Sequence, residues 1–396
     1  MAATEIVRQE PPRTAFYNDP VIRGVVYQLL VGLLVVLFFL WIGQNAAINL
    51  AAQNKTTGFD FLWKTSGFAI SFSLFHFDRD SFYWEAFLVG LTNTLLVAVI
   101  GIVFATALGF TIGIARLSSN WIIARLATVY IETIRNIPLL LQLFFWYFAV
   151  LKAMPAVRDS LSLPFDTFIN QRGLFVPRPL PDEQFFWVYV AVATGIVGSL
   201  VLRWWARRRL EATGRRFPVF LASIAIIAGL TALVWAVSGA SVTFDPPVLN
   251  RFNFKGGLEL PPEFVALAFG LTIYTAAFIA ETVRGGILAV SHGQTEAAQS
   301  LGLKEGDRLR LVIIPQAMRV IVPPLTSQYL NLTKNSSLGA AIGYPELVNV
   351  FTGTTLNQTG RAIEVIALTM AVYLMFSLLT SGIMNWYNAR VALVER

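Results

Sequence analysis

Few residues in this chain are equipped for chemistry, and most of those stand where charge is costly. Glu132, Arg135, Asn136 and Gln142 interrupt one long apolar run, and Lys334 and Asn335 interrupt another. Ionisable groups inside an apolar span are rare and mark functional positions by default. Two readings are open for the first set. Glu132 and Arg135, three residues apart, can pair on one helix face, or Arg135, Asn136 and Gln142 can line a path for a polar solute. For Lys334 and Asn335 the choice is between the same path and a bond to another subunit. Glu281 and Arg284, also three apart, end a later run as an ion-paired support or an inner gate. Catalysis and metal binding find little material. The chain has no cysteine and only two histidines, His76 and His292, far apart in sequence, so no catalytic residue and no metal ligand is assigned.

These groups need elements to position them, and the composition says which kind. Apolar residues make up 56% of the 396 and charged residues 13%, with a mean hydropathy of +0.62. Crossing a bilayer takes about 20 apolar residues. About eight such runs are present, at 24–43, 86–115, 122–151, 186–202, 217–238, 264–283, 321–344 and 362–386. The expected class is an all-α polytopic membrane protein. The third run is overlong: at 1.5 Å per residue it would reach about 45 Å across a core of about 30 Å. Its first turns, around Arg125, are therefore expected at or below the interface. The first run is too long and too far from the N-terminus for a cleavable signal, and is read as a retained helix.

Lysine and arginine orient the spans. They gather in alternate short segments, at Arg8, Arg13 and Arg23, then Arg116 and Arg125, then Arg203, Arg207, Arg208, Arg209, Arg215 and Arg216. The series continues with Arg284, Lys304, Arg308, Arg310 and Arg319, and ends with Arg390 and Arg396. Both termini and the polar stretch 293–316 are thus expected on the cytoplasmic side. The net charge of +7 sits in loops rather than on one stripe. That excludes nucleic acid as a partner and points to membrane lipids, most strongly at 203–216. A five-helix core is expected at 86–151 and 263–390. The additions are 1–85, with an extra helix and an extracytoplasmic loop, and 152–262, with extracytoplasmic loops and a helical hairpin at 186–238.

The stretch 293–316 does not match its oily surroundings. Alanine and glutamine favour a helix over 294–301, with Glu296 suiting its positive end. Ala297, Ala298 and Leu301 then share one face, and Glu296, Gln299 and Ser300 the other. Gly302 sits where a left-handed cap would close the helix. The small-residue face permits close approach by another surface, and a solvated loop helix is the plain alternative.

The triplet "EAA", Gly302 six residues after Glu296, and "VIIP" ending at Pro315 resemble the coupling-loop signature of ABC importer permeases. Val312 and Ile314 depart conservatively from its usual isoleucine and leucine. "YIETIRNIPLLLQLFFWYF" from Tyr130, "AETVRGGI" from Ala280, "IPQAMRVIVPPL" from Ile314 and "LTKNSSLGAAI" from Leu332 resemble the polar amino acid (histidine/glutamine-type) permeases. The extra helix and inserted hairpin resemble the long permease subunits of general L-amino acid transporters. The resemblance implies a translocation subunit for polar L-amino acids in the bacterial inner membrane. A separate cytoplasmic ATPase dimer would drive it, holding ATP–Mg, with no cofactor on this chain. It implies coupling through a helix at 294–303, with Gln294, Glu296, Ala297, Ala298, Leu301 and Gly302. A periplasmic amino acid-binding protein and a second related permease subunit, in a heterodimer rather than a homodimer, would complete the assembly. The intramembrane charges of both signs would suit a zwitterion. The chain has no G-x-x-x-x-G-K-[ST] phosphate loop, so it is expected to be no enzyme and not its own motor. The rival reading is a secondary amino acid transporter or channel without an ATPase. It would not need the coupling signature and would be expected to carry inverted repeats.

Overall fold

The computed structural model describes residues 20–52, 58–214, 217–251 and 253–391. Arg8, Arg13, Arg215, Arg216 and Arg396, used above to orient the chain, lie outside them. Seven described helices are long and apolar enough to cross a membrane, and eight if one bent pair counts as a single span. In order these are α1 (Pro20–Ala52), α2 (Tyr83–Ala115), the bent pair α3 (Trp121–Asn136) and α4 (Leu139–Phe144), α5 (Phe185–Thr213), α6 (Val219–Ser238) and α7 (Pro262–Leu288). Then come the short α8 (His292–Ser300) and α9 (Glu305–Arg308), the long α10 (Ile314–Asn335), the short α11 (Leu356–Thr359) and α12 (Ala362–Val391). The helical membrane class holds.

The centre of the fold is α2 against α7. A Cβ added at Gly109 would lie 2.6 Å from the Cβ of Ile279, and one at Gly113 would lie 2.8 Å from the Cβ of Val283. Both pairings advance by four residues, so the two helices run parallel and in register. Helices in lipid gain no water-driven association, and small residues that bring backbones together supply the packing instead. Leu143, Leu267, Leu271 and Leu332 are fully buried in the resulting core, with α4 and α10 completing it. After α10 the chain does not leave the bundle. It winds through 3-10 turns over Ser336–Ile342 and π-helical turns over Val348–Thr355. Such irregular backbone survives at membrane depth only where protein satisfies its polar groups. Here α2 does so. Asn93 Nδ2 donates to the carbonyls of Phe72 and Pro345, both at 2.9 Å, and Thr94 Oγ1 accepts the Leu347 N–H at 3.1 Å.

The overlong third run resolves into a break. The chain turns by 105° between Trp121–Asn136 and Leu139–Leu151, with α4 continuing in π-helical turns to Leu151. Pro138 has no N–H to donate and biases the residue before it away from the helix. Ile137 is accordingly extended, at φ −103° and ψ 128°. Gln142 closes the gap: its Nε2 donates to the carbonyls of Ile134 and Ile137, both at 2.9 Å. The run is long because it is two pieces, not one tilted rod.

The insertion contains something the sequence reading lacked. Eight strands of three or four residues, β1–β8, lie between Leu161 and Leu260. They form a four-stranded sheet in the order β1-β2-β3-β8, in which β1 spans Leu161–Leu163 and β2 Thr167–Asn170. The others form a two-stranded pair β4-β5, whose strands are joined through α5 and α6, and a hairpin of β6 (Val248–Asn250) with β7 (Asn253–Lys255). Pieces this short, broken by proline and glycine, carry no readable alternation. β3 (Gly173–Val176) pairs antiparallel with β8 (Leu258–Leu260), Leu174 opposite Leu260, and β8 leads straight into α7. From β4 (Arg178–Pro181) the chain enters α5, and α6 returns it to β5 (Val242–Asp245). The root of this hairpin is fastened by Asp182, which accepts hydrogen bonds from the Ser241 N–H (2.8 Å), the Ser241 hydroxyl (3.0 Å) and the Phe185 N–H (3.0 Å). The Ser241 N–H, first among these, holds the Asp182 carboxyl below the usual carboxylate range.

Candidate functional site

The polar stretch is a helix, as its residue types dictate. α8 begins at His292, two residues earlier than expected, and Ser291 precedes it. Its end is a Schellman closure. The Gly302 N–H donates to the Gln299 carbonyl (2.8 Å), and the Leu303 N–H to the Ala298 carbonyl (3.2 Å). Gly302 adopts φ +72°, which a residue with a Cβ enters only at a cost. Within the helix, His292 Nδ1 lies 3.0 Å from Glu296 Oε1. Gln294 Oε1 accepts from Gln316 Nε2 at 3.0 Å, tying α8 to α10.

The face expected to be uniform is divided. Ala298 is 3% exposed and turns into the chain itself, whereas Ala297 is exposed and Leu301 is 80% exposed. A large apolar side chain at the tip of a polar helix, backed by the buried Ala298, is a knob presented outward. α8 follows α7 after three residues, so a load on that knob passes directly into the bundle.

Just above it, charges join three helices. Glu281 on α7 accepts from Arg284 Nη2 (2.6 Å) and from Arg116 Nη1 (2.5 Å), at the end of α2. Arg116 Nη2 also reaches Glu132 on α3 at 3.0 Å. The Glu281–Arg284 pair is therefore present, within a larger network. The expected Glu132–Arg135 pair is not: Glu132 takes Arg116, and the Arg135 guanidinium stands 5.2 Å over the Phe278 ring. Arg116 is the member missed from sequence, where it served only as a topology mark. A cation at the close of a span, one residue past the last apolar position, was the available signal.

The residues proposed as a path do not converge. Asn136 Nδ2 donates to the Glu132 carbonyl at 2.7 Å, at the end of α3, and Gln142 closes the break. Both side chains donate to backbone carbonyls of α3 and the break. Lys334 is different. It is exposed in the last turn of α10, forms no ion pair among the described residues, and borders an open cleft of about 490 Å³ with Thr352, Thr369 and Tyr373. α12 starts at the end of the bundle where α2 also begins, and there Arg361 Nη2 meets Asp60 Oδ1 at 2.9 Å. Thr369 and Tyr373 are two to three turns further along, which sets the cleft in the half of the bundle nearer that end. The half-buried Asn335 follows Lys334.

Behind the cleft lies a carboxylate that the sequence reading did not single out. Glu346 is fully buried and accepts from the N–H groups of Val348 (2.8 Å) and Asn349 (2.7 Å) and from the Tyr373 hydroxyl (3.1 Å). It holds the first turn of the π-helical segment, its two oxygens capping N–H groups that lack helical partners. An acid inside "GYPELVNVF" is the same signal that marked Lys334, and it was lost because the span was ended at Tyr344.

Residues 101–393 match the family model described as the binding-protein-dependent transport system inner membrane component. The chain belongs to this family. It is a multi-pass protein of the inner membrane. Over 97% of its length it is 52% identical to the general L-amino acid transport system permease protein AapQ of Rhizobium johnstonii, covering 96% of that protein. It is 49% identical to the putative amino-acid ABC transporter permease protein YhdX of Escherichia coli, with 96% of this chain and 97% of that one covered. The Rhodobacter capsulatus glutamate/glutamine/aspartate/asparagine transport system permease protein BztB is 40% identical over 98% of this chain and 99% of its own. These alignments run through both additions, so the long architecture is shared with these three proteins. An amino acid ABC transporter solved with histidines aligns over 78% of this chain and 95% of its own, at 22% identity and a TM-score of 0.46.

Proposed function

We propose that this chain is the translocation subunit of an ATP-driven importer of polar L-amino acids. In this reading it has no ATPase site of its own. A cytoplasmic ATPase dimer holds ATP–Mg and receives α8 in a groove, as amphipathic helices commonly dock. A periplasmic amino acid-binding protein delivers the solute, and a second, related permease subunit completes the path. The printed functions of AapQ, YhdX and BztB support the substrate class. The Lys334 cleft supports the second subunit, because it is open on one side, where another chain would supply the missing wall.

The observation that carries the coupling is Leu301, 80% exposed beside the left-handed Gly302, on a helix fixed to α7 by chain and to α10 by Gln294. ATP-driven closure of the partner would move α8, and the Glu281–Arg116–Glu132 network would make α2, α3 and α7 follow as one body. Leu301→Asp and Gly302→Asp should leave membrane levels of the chain unchanged and abolish amino acid uptake. Full uptake with either aspartate in place would sink this coupling. Uptake that ignores vanadate would replace the ATP-driven reading with a secondary transporter. Lys334→Ala should lose uptake while the complex still assembles and hydrolyses ATP, and normal transport would remove Lys334 from the path.

A further inference from the structure

The turn between α5 and α6 is not explained by transport. α5 and α6 cross tightly at Gly195, where an added Cβ would lie 3.0 Å from the Ile227 Cα, and they part toward the turn. The wedge between them is an open cleft of about 660 Å³. One side presents Arg203 and Arg207, four residues apart on one face of α5. The other walls are apolar, with Leu210 on α5, Phe217 in the turn and Phe220 on α6. Neither Arg203 nor Arg207 forms an ion pair among the described residues.

The neighbouring arginines behave otherwise. The Arg208 guanidinium stands 3.9 Å over the Trp204 ring, and that of Arg209 stands 5.2 Å over Trp205 and 5.8 Å over Phe217. Tryptophan and arginine at one level form the belt that proteins place at the membrane–water interface. α5 leaves the sheet side and runs to the other end, as α7 does, so the belt and α8 share an end of the bundle. Under the proposed function that end faces the cytoplasmic leaflet, where anionic lipid headgroups concentrate. A cleft with two guanidiniums that form no ion pair among the described residues, open at headgroup level and narrowing past Leu200 toward the hydrocarbon, has the polarity profile of a phospholipid. The fork of each guanidinium matches a phosphate bidentately. We infer that the α5–α6 wedge is a binding site for an acidic phospholipid, its phosphate held by Arg203 and Arg207 and one acyl chain lying against Leu200 and Phe220.

The full-length chain in mild detergent, titrated with phosphatidylglycerol and read by native mass spectrometry, tests this. Arg203→Gln with Arg207→Gln should weaken phosphatidylglycerol binding about tenfold or more, whereas Arg208→Gln with Arg209→Gln, the same change in charge on stacked side chains, should weaken it less than about twofold. Arg203→Lys with Arg207→Lys keeps the charge that orients the hairpin but loses the fork, and should fall between the two. Phosphatidylcholine should bind at least about tenfold more weakly than phosphatidylglycerol to the unchanged chain, and inorganic phosphate should not displace the lipid. Equal losses in the two glutamine pairs would overturn the site and leave only general charge. Displacement by inorganic phosphate would assign the wedge to a free anion. Absence of phosphatidylglycerol binding in the unchanged chain, or equal binding of phosphatidylcholine, would end the proposal.

Discussion

Two helical pairs in this protein are built by opposite rules. α2 and α7 touch along their length through glycines that admit no Cβ, are bound at one end by Arg116 and Glu281, and lie amid fully buried leucines. α5 and α6 also meet at a glycine, but α6 has no buried residue, and the pair's surface is left to lipid. The first pair is arranged to move as a unit and the second to be held from outside. Five substitutions probe that contrast.

The largest effect should come from Gly109→Val. Its Cβ cannot coexist with Ile279, and overpacking of this kind costs about 1–3 kcal/mol or more. Folded protein in the membrane should drop sharply, measured as detergent-soluble monodisperse chain. Gly229→Val on α6, where an added Cβ meets nothing within 4 Å, should leave that yield unchanged. If both behave alike, the contrast between the pairs fails.

Arg116→Gln should come next. It leaves Glu132 without its partner and Glu281 with Arg284 alone, at a cost of about 1–3 kcal/mol for charge-assisted bonds. The thermal midpoint should fall, and uptake per ATP hydrolysed should fall with it, because α3 then loses its ionic tie to α2 and is held to α7 only by contacts such as Arg135 over Phe278 and Tyr130 to the Ile273 carbonyl. An unchanged midpoint would mean that solvent already screens the network.

Gln142→Leu should cost about 1–3 kcal/mol by leaving the carbonyls of Ile134 and Ile137 without donors. Hydrogen exchange should quicken at the break, near Ile137, more than at the ends of α5. Uniform exchange would show that Pro138 alone fixes the bend.

The smallest effect concerns acid and the hairpin root. Asp182 is held ionised by the Ser241 N–H, so its carboxyl lies below its ordinary range in the folded chain. A lowered folded value gives stability that is present above the unfolded value and is lost as pH falls through the folded one. Proteolysis at the α5–α6 root should therefore rise only well below about pH 4 and be flat from there to neutrality. Asp182→Asn should abolish that acid step.

Much of the core was legible because its signals are local. The eight apolar runs and the Glu296–Gly302 spacing each lie within one stretch, and each corresponds to a helix or, for the third run, to a bent pair. What escaped was set by contact between stretches. Arg135 is as close in sequence to Glu132 as a helical pair needs, yet Arg116 from another helix takes that carboxylate. Gln142 reads as a polar group in a span, and only the break at Pro138 explains its two donor bonds. The strands of the insertion were invisible because each is too short to have a period. The exposure of Leu301 escaped as well, since it depends on Ala298, three residues before it, turning into the chain.

One feature of the insertion reaches beyond packing. β8 is held by β3 and continues into α7 at Pro262, and α7, about 40 Å long, ends three residues before α8. The strand platform and the Leu301 knob are thus joined to the two ends of one helix. Under the proposed function, any tilt that the ATPase imposes on α7 through α8 would also be a tilt of the platform, so the two ends of the bundle would change together without a further moving part.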